Sequence, residues 1–139
     1  MDLIAVAGEL REALSVIPGL RVPAWGVTAI QAPAAIVALP DRIEFDKTYK
    51  GASARGTDTY KDLPIVLLVG KTDERSSVLA LAEYAAGAGP QSVKAALEGH
   101  DYGAVCDFVI VLSCEFDEPR YAGADYLAAI FHTDIVGNG

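Results

Sequence analysis

The sequence predicts an α+β fold, a mostly antiparallel sheet with a long C-terminal β-hairpin and helices packed on one face. Three observations carry this prediction. First, residues alternate over eleven positions from Asp107 to Asp117. Phe108, Ile110, Leu112, Cys114 and Phe116 fall on one side, and Asp107, Val109, Val111, Ser113, Glu115 and Asp117 on the other. Strand side chains point to opposite faces with period two, so this is one half-buried strand. Second, after the turn signal Glu118-Pro119-Arg120-Tyr121-Ala122-Gly123, Leu127, Ala129, Phe131 and Ile135 alternate again, interrupted by Thr133. Two such runs joined by a short Pro/Gly loop form an antiparallel hairpin. Third, two stretches carry apolar residues at helical spacing, one before the strands and one between them.

The opening helix is marked by Leu3, Val6, Ala7, Leu10, Leu14 and Ile17, with Asp2 at its start and Pro18-Gly19 at its end. Leu20 to Val27 contains Pro23 and Gly26 and reads as a short or edge strand. Its Trp25 is a core plug or a subunit contact. Ala34 to Leu39 is a short buried strand, and Ile43 and Phe45 extend the sheet beyond Pro40-Asp41.

Residues 46–61 are the least hydrophobic stretch and predict a flexible loop. Lys47, Tyr49, Lys50, Arg55, Tyr60 and Lys61 make it the basic part of an acidic chain. It is either an arm for an acidic partner surface or DNA phosphates, or a solvated loop. Gly51 and Gly56 have the spacing of a phosphate-binding loop, but Thr57 stands where that loop needs lysine.

Leu63 to Val69 is a continuous apolar run closed by Gly70, expected as a central strand buried on both faces with Pro64 near its start. Thr72 and Asp73 are N-cap residues for a helix with the stripe Val78, Leu81, Ala82 and Ala85, widened by Leu79 and ended by Gly87. Gly89-Pro90 opens a short helix that turns Val93, Ala96 and Leu97 inward.

The 139 residues suffice for one domain, 1–139, with a real core. A chain 52% hydrophobic is not disordered, and none of its apolar runs is long enough to span a bilayer. Residues 1–17 carry Asp2, Glu9 and Glu12 and lack the basic start of a secretory signal, so synthesis in the cytoplasm is expected. The net charge of −8 argues against a surface that grips nucleic-acid phosphates. Cys106 and Cys114 would lie roughly 26 Å apart on a continuous strand, too far to bridge.

The titratable residues form no known catalytic signature. His132 shares a strand face with Asp134, without a nucleophile beside it. Glu115 and Asp117 share a face and would suit acid–base work, a hard cation, plain solvation or a subunit salt bridge.

Three segments resemble the tail terminator family of long-tailed bacteriophages, in the version found in actinobacterial phages. The first is the opening helix leading to Leu20-Arg21-Val22. The second is Ile36-Val37-Ala38-Leu39-Pro40-Asp41-Arg42-Ile43-Glu44-Phe45-Asp46 followed by Leu63-Pro64-Ile65-Val66-Leu67-Leu68-Val69-Gly70. The third runs from Gly87-Ala88-Gly89-Pro90-Gln91-Ser92 through the hairpin to Asp125-Tyr126-Leu127-Ala128-Ala129-Ile130-Phe131. The resemblance implies a structural virion protein: a ring, usually of six copies, that caps the tail tube, ends its polymerisation and joins the head. It implies contacts with the major tail tube protein and a head-side connector or stopper, with DNA passing through the lumen. No cofactor, metal, reaction or membrane is expected. The 46–61 loop is then expected on the tube or connector, and Asp107, Glu115 and Asp117 at the lumen or a subunit contact. Another neck component, such as a head-closure or tail-completion protein, fits the same features. So does a small acidic ligand-binding domain or enzyme.

Overall fold

A computed structural model describes residues 1–25, 31–46, 56–71, 75–121 and 124–138. Its elements run α1 (Leu3–Leu14), β1 (Ala34–Val37), β2 (Arg42–Asp46), β3 (Thr57–Lys71), α2 (Arg75–Ala85), α3 (Val93–Gly99), β4 (Phe108–Asp117), β5 (Arg120–Tyr121) and β6 (Ala124–Asn138). All strand pairings are antiparallel, in the order β1-β3-β6-β4, with β2 also on β3 and β5 on β6. The fold is α+β, as the sequence predicts.

The Asp2 carboxylate caps α1 by accepting the Ile4 amide at 2.9 Å. Val6, Ala7, Leu10, Ala13 and Leu14 are buried along its inner side. At ordinary burial energies each of the two leucines contributes about 1.5–3 kcal/mol. All three helices share one core with the sheet, which they cover from the same face. That core takes Tyr60, Leu63, Ile65, Leu67 and Val69 from β3, and Ala129, Phe131 and Ile135 from β6. Thr133 interrupts the apolar stripe of β6 without an unsatisfied group, because its hydroxyl donates to the Leu63 carbonyl at 2.8 Å.

Strand β3 is the spine. One edge pairs with β6 from Thr57–Asn138 to Lys71–Tyr126. The other pairs with β2 over residues 57–61 and then with β1 over residues 65–68. Pro64 sits between those two partners, in mid-strand rather than near the start. Its carbonyl accepts the Ala38 amide at 3.0 Å, so its ring nitrogen faces the gap where a missing N–H costs no ladder bond. The opposite face of β3 is only partly covered: Leu68 is buried, but Pro64 and Val66 are half-exposed.

Several expectations need correction. Residues 57–61 are the start of β3 and Asp46 the end of β2, not loop. Tyr60 is a core residue, and Lys61 is in ladder register with Arg42. Strand β6 of the hairpin is internal to the sheet, paired with β3 along nearly its whole length. Among the described residues of the stretch Leu20 to Val27, only Arg21 makes a bridge, with Ala34. The Trp25 indole donates to the Val37 carbonyl at 2.6 Å while the ring stays partly exposed. On α2 the buried stripe is Ser77, Leu81 and Tyr84, and Val78 and Leu79 face outward. The short third helix starts at Val93, with Ser92 as its cap, its hydroxyl accepting the Ala95 amide at 3.1 Å. The N-cap residues expected for α2, Thr72 and Asp73, lie outside the described residues.

The largest correction concerns β4. The ladder with β6 shifts register between Val111 and Ser113, so Leu112 is an extra residue. Val109 and Val111 therefore share the helix-covered face with Cys114 and Phe116, while Phe108 and Ile110 share the other with Ser113, Glu115 and Asp117. The expected single apolar side does not exist. The same bulge separates Asp107, which lies before β4, from Glu115 and Asp117.

Candidate functional site

The face of the sheet away from the helices carries a run of charged residues across three strands. Asp62 sits at a second irregularity, where β3 shifts register between Tyr60 and Leu63. Its φ of 52° is one that few residues with a Cβ adopt. Two bonds hold it there. Its amide donates to Asp134 Oδ1 at 3.0 Å, and its carboxylate Oδ1 lies 2.5 Å from His132 Nδ1. Lys61 Nζ reaches the other oxygen of Asp134 at 3.3 Å. His132 Nε2 stands 3.2 Å from Glu115 Oε1 on β4, off the line of a hydrogen bond. The order across the sheet is thus Lys61, Asp134, Asp62, His132, Glu115. The bond to Asp62 holds the His132 imidazolium above its ordinary range, burial opposes this, and the charges of Asp62 and Glu115 add to it.

Around these charges the face is apolar. Val66, Ile130 and Val136 are half-buried on β3 and β6, and Phe108 and Ile110 are exposed on β4. Strand β4 ends the sheet order, so its outer edge has no strand partner among the described residues. One point on that edge is occupied from α3, where Glu98 Oε2 accepts the Val111 amide at 3.0 Å and the other carboxylate oxygen pairs with Lys94. Those contacts, Lys94 first, hold the Glu98 carboxyl below its usual range. Beyond Val111 the edge carries Leu112, which is 57% exposed, and Phe116, which is 64% exposed.

The residues singled out from the sequence separate in space. Lys47, Tyr49, Lys50 and Arg55 lie outside the described residues. Tyr60 is buried on the helix side, where burial raises its hydroxyl pKa, and Lys61 is engaged by Asp134 on the other side. Asp107, Glu115 and Asp117 are all exposed, with the last two on the His132 face. Asp62 and Glu98 escaped sequence reasoning. The Asp-Leu-Pro sequence at 62–64 was the local sign of an irregular strand, and nothing local marks Glu98.

On the helix side, Glu9, Glu12 and His100 bring their ligand atoms within 4.8 Å of one another, close enough to share a divalent cation. His100 already has a partner in Glu9 at 2.8 Å and stands edge-on to Tyr102 with ring centroids 4.8 Å apart. Two surface depressions, of about 290 and 280 Å³, are lined by residues near α1, α2 and α3, and neither includes His132, Asp62 or Glu115. Cys106 is buried, which with the charge of Asp107 pushes its thiol up to about 11, away from nucleophilic use at neutral pH. No helix among the described residues is long and apolar enough to cross a membrane.

No protein-family model matches the chain, and no curated protein matches it.

Proposed function

We propose that this chain is a structural subunit of a phage tail–head neck, a tail terminator that assembles as a ring, caps the tail tube and offers the surface for head joining. One observation supports this reading best: β4 is a ten-residue terminal strand that leaves the large apolar side chains Phe108, Ile110, Leu112 and Phe116 exposed. A long exposed edge with apolar side chains invites pairing with another chain, and proteins that keep one use it. The edge of one copy meeting a different surface of the next is a head-to-tail contact, the kind that closes rings. The acidic residues Glu115 and Asp117 then line the lumen or a subunit contact, where negative charge lets DNA pass without adhering. In this reading the chain carries no cofactor and no reaction, and the Asp62–His132–Glu115 group fastens strands to each other.

The test is light scattering of the purified protein with and without isolated tail tubes, followed by negative-stain imaging. Rings at tube ends and a halt in tube growth are expected. A protein that leaves tube ends bare and tube length unchanged is not a terminator. If it then bound the portal side of heads, it would be a head-closure protein using the same surface.

A further inference from the structure

The structure divides the outer edge of β4 into a guarded half and an open half. Glu98 and Lys94 of α3 occupy the edge at Val111. The half from Leu112 to Asp117 has no such cover among the described residues. Its chemistry is specific. Leu112 and Phe116 are exposed apolar groups, and Glu115, Asp117 and Glu118 are exposed carboxylates. Arg120, 3.9 Å from Asp125, is offset by it, so the local balance is negative. The complement lies in the chain's own sequence. Residues 47–55, Lys-Thr-Tyr-Lys-Gly-Ala-Ser-Ala-Arg, carry three basic side chains, one tyrosine and no acid, in a chain whose net charge is −8.

We propose that the Leu112–Glu118 half of the β4 edge is the docking site for residues 47–55 of a second copy of this chain. Lys47, Lys50 and Arg55 meet Asp117, Glu118 and Glu115, and Tyr49 covers Phe116. Such opposite-charge placement fixes which copy binds where and in which register. The contact is heterologous, because the acidic edge and the basic segment are different stretches of one chain, so it propagates around a ring rather than stopping at a two-fold dimer. Glu98 keeps the guarded half from pairing out of register. The inference rests on the ring reading and names the contact that closes it.

The test is charge exchange, read by sedimentation velocity at low salt over a wide concentration range, with circular dichroism to verify folding. One variant carries Asp117→Lys and Glu118→Lys, the second Lys47→Glu, Lys50→Glu and Arg55→Glu, and the third all five. Glu115 is left alone because it faces His132. Wild type should self-associate. The first and second variants should each associate at least tenfold more weakly, and the third should regain association. Mixing the first two should also restore association beyond pairs, since the native contact and the charge-reversed contact can alternate from copy to copy. If wild type assembles and both single-surface variants assemble as well, the assigned contact is wrong while the ring reading survives. If folded wild type stays monomeric throughout, the contact is overturned as a self-association surface. Tube-end imaging then decides the ring reading separately.

Discussion

Asp62 and His132 meet across β3 and β6 with carboxylate oxygen and ring nitrogen 2.5 Å apart, although 70 positions separate them in the chain. The contact depends on a backbone fault. Asp62 reaches the imidazole because β3 carries an extra residue there and Asp62 takes a φ of 52°, with Asp134 accepting its amide. Glu115 approaches the other ring nitrogen only because Leu112 is extra in β4. Two irregularities, in the strands on either side of β6, thus bring two carboxylates to one histidine.

That arrangement sets a pH dependence. The folded-state pKa of His132 is raised from the ordinary value of 6.5. The charged imidazole is therefore favoured by folding. The stabilisation is fully present below about pH 6.5, the unfolded value, and is lost as pH rises through the higher folded value. The groups around it are half-exposed, so it amounts to no more than about 1 kcal/mol. Urea midpoints of wild type and His132→Gln should differ most near pH 6 and converge toward pH 9. A gap that stays constant over that range would mean that the proton on His132 is not involved.

Thr133 gives a second prediction. It is fully buried, and its hydroxyl donates to the Leu63 carbonyl on the neighbouring strand. Thr133→Val keeps the shape and removes the donor. It should destabilise the fold by about 1 kcal/mol, the usual worth of such a bond. Thr133→Ser keeps the donor and should restore hydrogen-exchange protection to the β3–β6 amides that the valine variant loses. Equal protection in the two variants would count against the bond.

Two phenylalanines on the paired strands β4 and β6 separate packing from assembly. Phe131 is 1% exposed and Phe116 64% exposed. Phe131→Ala should cost about 3–5 kcal/mol in urea unfolding. Phe116→Ser should change folding stability by no more than about 0.5 kcal/mol and weaken self-association. A large loss of folding stability from Phe116→Ser would mean that the ring packs against the core, in contradiction to its 64% exposure.

The sequence made legible what is written locally. The opening helix has its cap and its period within one stretch and forms as read, except that it ends at Leu14, ahead of Ile17 and the Pro18-Gly19 stop. The buried stripe of β6 and the apolar run of β3 were equally plain. What could not be read depends on distant partners. Thr57 to Lys61 has the composition of a loop, yet it is strand because β2 and β6 flank it on both edges. The bulge at Leu112 has no glycine or proline to announce it, so the alternation along β4 points its first half the wrong way. Val78 and Leu79 were expected to face inward because apolar spacing alone does not say which stripe of a helix meets the sheet. His132 and Asp134 were visibly on one face of β6, but the approach of Asp62 and Glu115 was settled by the two bulges.

Glu98 supplies the last prediction. Its carboxylate accepts the Val111 amide on the outer edge of β4 and is held in place by Lys94 one helical turn earlier. A free strand edge pairs with other chains unless something covers it, and a charged side chain from a neighbouring element is an effective cover. Glu98→Ala removes that cover and leaves the Lys94 charge unbalanced. The variant should fold, with a midpoint lowered by about 1 kcal/mol or less, since both partners are partly exposed. It should also form irregular aggregates whose light scattering rises with protein concentration, where wild type gives assemblies of defined size. Because the folded-state pKa of Glu98 is lowered, wild type should approach the variant as pH falls below about 4.5, where the carboxylate takes up its proton and the cover weakens. A Glu98→Ala variant that assembles at wild-type size and homogeneity would show that the guarded half of the edge is closed by the packing of α3 alone.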